Sequence, residues 1–269
     1  MRTEDRIRKV VRVILLVLLA VVVLFPVFYI FSSSLFSQKD FNELRLIPSS
    51  PVWSNWKKAL LGKNFLIYVI NSVATSLLNA FIRIIVVLFA SFAITHLKFR
   101  GKTFVTALLV ITLFIPSDAV LYQNYRTTAA LGLTDTWLGI IIPSLFSASQ
   151  MLLLMGYFTA QGKEYYEAAT IDGAGDLRYI FSILVPLSES VILTVFIQTL
   201  ITSFNSYLWP LLVTNRPSSR TIQVALNMLG YAESGERGAL SATIAVITLP
   251  FLIILALTKD RIEETLIRK

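Results

Sequence analysis

Six stretches of this chain stay apolar for about 20 residues, the length a helix needs to cross the hydrocarbon core of a bilayer. They are residues 13–31, 67–94, 104–122, 137–158, 187–213 and 239–258. In hydrocarbon a spanning segment must satisfy its own backbone hydrogen bonds. The expected fold is therefore all-α, a polytopic membrane protein with about six transmembrane helices. Composition agrees, since 55% of the 269 residues are hydrophobic and only 15% charged, where soluble domains carry about 25% charge. With no cysteine and a single histidine, His96, a disulfide framework, a thiolate nucleophile and a Cys- or His-built metal site are excluded, and no metal site is expected.

The net charge of +8 raises nucleic acid as a partner, but no RNA- or DNA-binding motif accompanies it. In a membrane protein excess Lys and Arg mark cytoplasmic loops. Placing the N-terminus inside puts fourteen of these residues on the cytoplasmic side and nine opposite, five of the nine in the 37–66 loop. The expected topology has both termini cytoplasmic. The first run has a basic preface like a signal peptide, yet it is long and no A-x-A site follows, so it reads as a retained anchor. Residues 37–66, with Pro48, Pro51, Trp53 and Trp56, read as an external loop with tryptophans at the interface. Pro116 with Asp118, and then Pro143, interrupt the third and fourth spans.

One segment breaks the apolar pattern. "EYYEAATIDGAGDLRYIFSILVP", residues 164–186, holds four acids, two glycines and a terminal proline. Residues 163–171 are good helix formers, with Glu164 and Glu167 where a first turn favours negative charge. Asp172-Gly173-Ala174-Gly175 then breaks the helix, glycine permitting positive φ, and Asp176 can cap a second helix running toward Pro186. Ala168 and Ala169 are small enough to let another surface approach the backbone. The topology puts this helix–turn–helix in the cytoplasm, between spans four and five. On physical grounds alone a plain amphipathic linker fits equally well.

The spacing Glu167-Ala168-Ala169, three residues, Gly173, nine residues, Ile183, one residue, Val185-Pro186 resembles the EAA loop of the permeases of binding-protein-dependent ABC importers. Val185 stands where that family usually has leucine. "NSYLWPLLVTN" (205–215), "NSVATSLLNAF" (71–81), "FAITHLKFRGKTF" (92–104) and "DTWLGIIIP" (135–143) are similar to the carbohydrate-importing permeases of the type I class. The resemblance implies a permease domain over 67–258, preceded by a cytoplasmic tail, first span and external loop (1–66) and followed by a cytoplasmic tail (259–269). It implies that 164–186 is a coupling helix docking in a cleft of a cytoplasmic ATPase, with Glu164, Glu167, Ala168, Ala169, Asp172, Gly173, Ile183 and Pro186 as the coupling residues. It further implies a second, homologous permease, two ATPase subunits that bind the ATP and magnesium, and an extracytoplasmic substrate-binding protein. The chain itself would bind no cofactor and be no enzyme, and it would sit in the lipid of a bacterial or archaeal inner membrane. The implied cargo is a carbohydrate; the same class importing glycerol 3-phosphate or a glycerophosphodiester is the alternative. A membrane scaffold or channel without an ATPase is the alternative from another class.

Other features carry less. "GKT" (101–103) lacks the earlier glycine of a P-loop, His96 standing in that place, and "DGAGDLR" lacks the further aspartates of membrane alcohol-phosphotransferases. His96 falls in a basic loop and reads as solvated. Asp118 and Glu189 read as interfacial, while Arg83 lies mid-span, where a charge pairs with a partner subunit, lines a pathway or snorkels. In the fifth span Gln198, Thr202 and Asn205 recur at i, i+4, i+7 and, with Tyr207, form a polar face. It suits a sugar pathway or, equally, polar packing between helices.

Overall fold

The computed structural model describes residues 3–62, 64–231 and 237–267, and it is helical with no strand among them. Helix α1 (Thr3–Ser33) runs through the first apolar stretch, the short helices α2 (Gln38–Asn42) and α3 (Ser54–Leu61) lie in the loop that follows, and α4 (Phe65–His96) is the second stretch. The chain continues through α5 (Lys102–Ile111), α6 (Leu121–Ala130), α7 (Trp137–Ile141), α8 (Ala148–Ala160), α9 (Glu164–Ile171), α10 (Asp176–Tyr179), α11 (Val185–Leu187), α12 (Glu189–Phe204), α13 (Leu208–Val213), α14 (Ile222–Tyr231) and α15 (Arg237–Ile267).

Continuous spans were expected for 104–122, 137–158 and 187–213, and here the structure differs. Among the described residues only Arg8–Ser33 and Phe65–His96 are unbroken helices of spanning length and hydropathy. The next three are bent pairs: Lys102–Phe114 with Asp118–Ala130 at 95°, Trp137–Ser144 with Ala148–Ala160 at 54°, and Asp176–Leu187 with Glu189–Phe204 at 84°. Each break has a local cause. Ile115 is extended (φ −90°, ψ 113°) because it precedes Pro116, whose ring disfavours helical geometry one residue back. Pro143 sits in a single 3-10 turn, after which extended Ser147 restarts the helix by accepting from the Gln150 N–H. At the third break Pro186 lacks the N–H that would continue the helix, and a wide π turn over Ile180–Leu184 precedes it. The fifth stretch also ends at Phe204 rather than 213, with Asn205 as its C-cap. The last stretch lies inside α15, which contains Pro250 and carries an apolar Arg237–Pro250 portion. The segment expected as a C-terminal tail is helical to Ile267, and residues 268–269 lie outside the described residues.

The chain divides into two compact units, Met1–Leu66 with Leu226–Lys269, and Ile67–Ala225. Residues 226–258, read from the sequence as part of the permease domain, thus group with the N-terminal ones. In the first unit α15 packs on α1 and α3. Asn55 of α3 is buried and donates to the carbonyls of Ser34 (3.1 Å) and Phe36 (3.0 Å). Gly238 makes room for it, because a Cβ there would stand 2.3 Å from Asn55 Nδ2. In the loop between the first two stretches, fully buried Asp40 accepts from both the hydroxyl and N–H of Ser49 (2.6 and 3.2 Å) and of Ser37 (2.8 and 2.9 Å). The Ser49 hydroxyl, followed by the Ser37 N–H, holds this carboxylate well below the usual range.

In the second unit α4 is the central element. One part of it is apolar and one polar. Val87, Leu88, Phe92 and Ile94 pack with Met151, Leu154 and Phe158 of α8, with Val191 and Val195 of α12, and with Ala169, Tyr179, Ile180 and Leu184. Earlier in α4 the buried residues are Asn71, Ser72, Thr75, Ser76 and Asn79. Asn71 donates to the carbonyls of Ser218 and Arg220 (2.8 and 3.0 Å) and accepts from Trp137 Nε1 (2.9 Å), while Ser72 Oγ accepts from the Ile222 N–H (2.8 Å). Such polar contacts hold helices together where hydrophobic driving force is weak. Asp135 ties the same end, accepting from the N–H groups of Asn215 (2.6 Å) and Arg216 (2.8 Å) and from Ser219 Oγ.

Candidate functional site

The segment from Lys163 to Ser188 is a surface feature fastened from below. Helix α9 stops in a Schellman motif: Gly173 takes φ +77°, the Ala174 N–H donates to the Ala169 carbonyl (2.9 Å) and the Gly173 N–H to that of Thr170 (3.1 Å). These bonds satisfy carbonyls that a helix end leaves open. An added Cβ at Gly173 would meet nothing within 4 Å, so the positive φ, not crowding, selects glycine. The second helix is capped differently from the expectation. Gly175 is the N-cap, with no side-chain capping bond, and the Asp176 carboxylate instead accepts from Tyr166 Oη (2.8 Å). That bond bridges the turn from α9 to α10. It raises the Tyr166 phenol pKa, with burial adding to the shift.

The fastening is aromatic. His96 at the end of α4 stacks on Phe92 with ring centroids 5.0 Å apart at 19°. Tyr166 of α9 and Tyr179 of α10 approach the imidazole edge-on and tilted at 5.2 and 5.5 Å, and each other at 5.0 Å. Thr95 Oγ1 lies 2.8 Å from His96 Nδ1, and Tyr179 Oη 3.5 Å from Nε2. The expectation of a solvated His96 is therefore corrected: the ring is 7% exposed. Helix α4 extends through residue 96, so His96 falls on the inner face of its last turn and the basic loop begins one residue later. Tyr166, Tyr179 and His96 were missed as a group, although the i, i+4 spacing of Phe92 and His96 on one helix face was a readable signal.

Of the motif residues, Glu164, Glu167, Ala168, Asp172 and Gly173 are exposed. Ala169 is not. At 6% exposure it belongs to the core beneath α9, so only Ala168 can serve as a point of close approach. Ile183 is half-buried against the same core and Pro186 is exposed beside the bend. Ile171 and Leu177 are 86% and 62% exposed among the carboxylates. An apolar centre with a polar rim on a water-facing loop is the character of a protein-docking patch.

The polar face of α12 lies farther along. Gln198 is nine residues past Glu189 and so about 14 Å along the axis, and the structure does not bring it to the surface of α9 and α10. Gln198, Thr202 and Asn205 are all exposed on one face, while Tyr207 is half-buried beyond the helix end. Gln198 Oε1 accepts from Gln150 Nε2 (3.3 Å) and Asn205 Oδ1 from Gln223 Nε2 (3.4 Å), while Thr202 Oγ1 donates to the carbonyls of Gln198 (2.9 Å) and Thr199 (3.1 Å) of its own helix. Gln150, which sequence reasoning missed, is buried and also bonds Thr199 (3.0 Å). Arg83 is half-buried, and its Nε donates to the Ser144 carbonyl (2.5 Å), which lies just ahead of the break between α7 and α8. It thus has a partner inside its own chain.

A family model described as binding-protein-dependent transport system inner membrane component matches residues 87–268. The chain is 31% identical over 236 residues to the sn-glycerol-3-phosphate transport system permease protein UgpE of Agrobacterium fabrum (strain C58), with 84% of each chain covered. It is 30% identical over 255 residues to the protein of that name from Brucella abortus (strain 2308), with 90% of each covered. The solved structure of a bacterial ABC transporter involved in the import of the acidic polysaccharide alginate contains a chain that matches with a TM-score of 0.82 at 24% identity, over 97% of this chain and 98% of that one. This last likeness speaks for the fold.

Proposed function

The chain belongs to the family of binding-protein-dependent transport system inner membrane components, and on that footing we propose that it is the permease subunit through which an ABC importer passes a carbohydrate. One observation carries the coupling part of this reading: an exposed acidic and apolar patch on α9 and α10 is fixed to the spanning core through buried Ala169 and Tyr179. A partner bound there would be mechanically joined to α4, α8 and α12. In this reading two cytoplasmic ATPase subunits hold the ATP and magnesium, and this chain holds neither. Glu164, Glu167 and Asp172 supply polar contacts, Ala168 the close approach and Gly173 the turn, with Ile183 and Pro186 shaping the return to the membrane. Both termini are cytoplasmic, a second, related permease covers the exposed polar face of α12, and an extracytoplasmic binding protein delivers the cargo. ATP does work through the different affinities of the ATPase for the two permease conformations. Gln198, Thr202, Asn205 and Tyr207 offer the amide and hydroxyl groups that a sugar requires.

A second cargo, sn-glycerol 3-phosphate, is favoured by the names of relatives 30–31% identical over most of the chain. Uptake of labelled oligosaccharides and of sn-glycerol 3-phosphate by cells with and without this chain decides between them. The first reading expects a sugar whose uptake disappears with the chain and returns with it. Loss confined to sn-glycerol 3-phosphate supports the second. Flux that persists without ATP, with no ATPase co-purifying, removes the importer reading in favour of a channel.

A further inference from the structure

Beside the last turn of α4 and the start of α9, the second unit holds a pocket of about 640 Å³ that the transport reading leaves without a role. Its floor is buried Ile94, His96 and Phe158, and its rim includes the exposed residues Thr103, Ala107, Thr159 and Lys163. Two cations, Lys102 and Lys163, line it with no acidic residue among the lining. The Lys102 ammonium gives one bond to the Leu97 carbonyl (3.3 Å), which leaves two of its three donors for a ligand. Thr103 lies in the first turn of α5, where backbone N–H groups lack intrahelical acceptors. The other wall is apolar. Ala107, Val110 and Met155 lie along it, and on α5 the side chains of Phe104, Leu108 and Ile111 are exposed by 71, 53 and 59%.

A pocket cationic at one end and greasy at the other, at the point where two membrane segments meet a basic loop, matches an amphiphile with an anionic head. We propose that it binds one anionic phospholipid, the phosphate diester between Lys102 and Lys163 and an acyl chain along Ala107, Val110 and the outer face of α5. The apolar wall favours a lipid over a free phosphate, since a soluble anion would gain nothing from it. The inference rests on the membrane-permease reading but not on the coupling role of α9. Bound there, the lipid lies against His96, and so against the ring that anchors Tyr166 and Tyr179.

The test is native mass spectrometry of the full transporter, purified with its partner subunits and exchanged into phosphatidylglycerol or phosphatidylcholine. The complex should retain phosphatidylglycerol selectively through detergent wash. Lys102→Ala and Lys163→Ala should each weaken retention about fivefold, the weight of one lysine at an anionic surface, and the double variant more. Lys98→Ala with Arg100→Ala, basic residues of the loop outside the pocket, should retain it as the wild type does. Ala107→Trp, which blocks the apolar wall and leaves both lysines, should lose the lipid while still co-purifying with the ATPase. Equal retention in the Lys102/Lys163 double variant overturns the site. Displacement of the lipid by millimolar inorganic phosphate, with Ala107→Trp without effect, overturns the lipid in favour of a soluble anion. Loss of the ATPase in Gly173→Asp with the lipid retained would leave this site standing apart from the coupling reading.

Discussion

The α9–α10 patch and the polar face of α12 both read as functional in the sequence, yet the chain builds them in opposite ways. The first is finished. Its exposed side rests on a buried aromatic cluster, its turn is satisfied by backbone bonds, and Tyr166 and Asp176 close it across the middle. The second is open. Gln198, Thr202 and Asn205 are exposed; Thr202 bonds back to its own helix at the Gln198 carbonyl, and the bonds that Gln198 and Asn205 make to other helices are the long ones to Gln150 and Gln223. A surface that receives a rigid partner must be stiff before the partner arrives. A pathway between two subunits needs only half its wall from either, and its groups stay unengaged until the other half or the cargo is present.

The largest way to test that contrast is Gly173→Asp. Positive φ costs most residues with a Cβ about 1–2 kcal/mol but Asp and Asn less, so the effect expected of Asp comes mainly from its carboxylate, which enters the proposed docking patch. Insertion should be normal while ATPase co-purification and uptake are lost. Gly173→Asn, which tolerates the same backbone geometry, should keep most of both. Full uptake in Gly173→Asp would end the claim that this patch is the built one.

Tyr179→Ala comes next. Removing a buried aromatic side chain costs about 3–5 kcal/mol, here at the foot of the patch, where Tyr179 is 2% exposed. Hydrogen exchange should quicken across 164–179 and uptake fall severely, while exchange in α12 beyond residue 198 changes little. Equal loosening of both regions would erase the distinction between them.

On the other side of the comparison, Gln198→Ala and Asn205→Ala should leave expression, partner assembly and basal ATPase activity intact. Each should lower uptake about five- to a hundredfold if one hydrogen bond to the cargo, worth about 1–3 kcal/mol when left unmade, is lost. If ATPase assembly falls instead, the face is a packing surface.

Tyr166→Phe should have the smallest effect, about 1 kcal/mol for one hydrogen bond, read as modestly faster exchange around the turn. Its pH dependence has a definite sign. The phenol is held protonated, with its pKa raised above the ordinary value, so the bond to Asp176 is fully present below about pH 10. It is lost as pH rises through the raised pKa. The protection factors around the turn in the wild type, which divide out the base-catalysed rise of the intrinsic exchange rate, should be flat from neutral to about pH 9.

Much of the fold was legible, because spans announce themselves by length and the acids and glycines of 164–186 announce a helix–turn–helix. The breaks were only half legible. Pro116, Pro143 and Pro186 stand beside the three bends, but the end of the fifth helix at Phe204 falls inside a run whose hydropathy gives no warning. The polar segment's outer face could be read off its acids and glycines. Its inner face could not, because Ala168 and Ala169 are identical letters and only the helix phase against α4 and α8 sends one out and the other in. His96 was misread for the same reason, since charge in the following residues says nothing about which face the last helical turn presents.

The bend between Asp176–Leu187 and Glu189–Phe204 has a consequence for how force is carried. Two rods joined end to end transmit a push along their common line; two rods meeting at 84° do not. A load at Leu177, in the first turn of the first rod and directed along it, would bear on the second almost broadside, near Glu189. Pro186 and the wide π turn over Ile180–Leu184 sit in the short arm, and buried Val191 and Val195 brace the long one against α4 and α8. If the α9–α10 patch takes the partner proposed for it, such an elbow would act as a crank: a short stroke at the patch would become a swing of the far end, and the polar side chains at Gln198 to Asn205 lie toward that end.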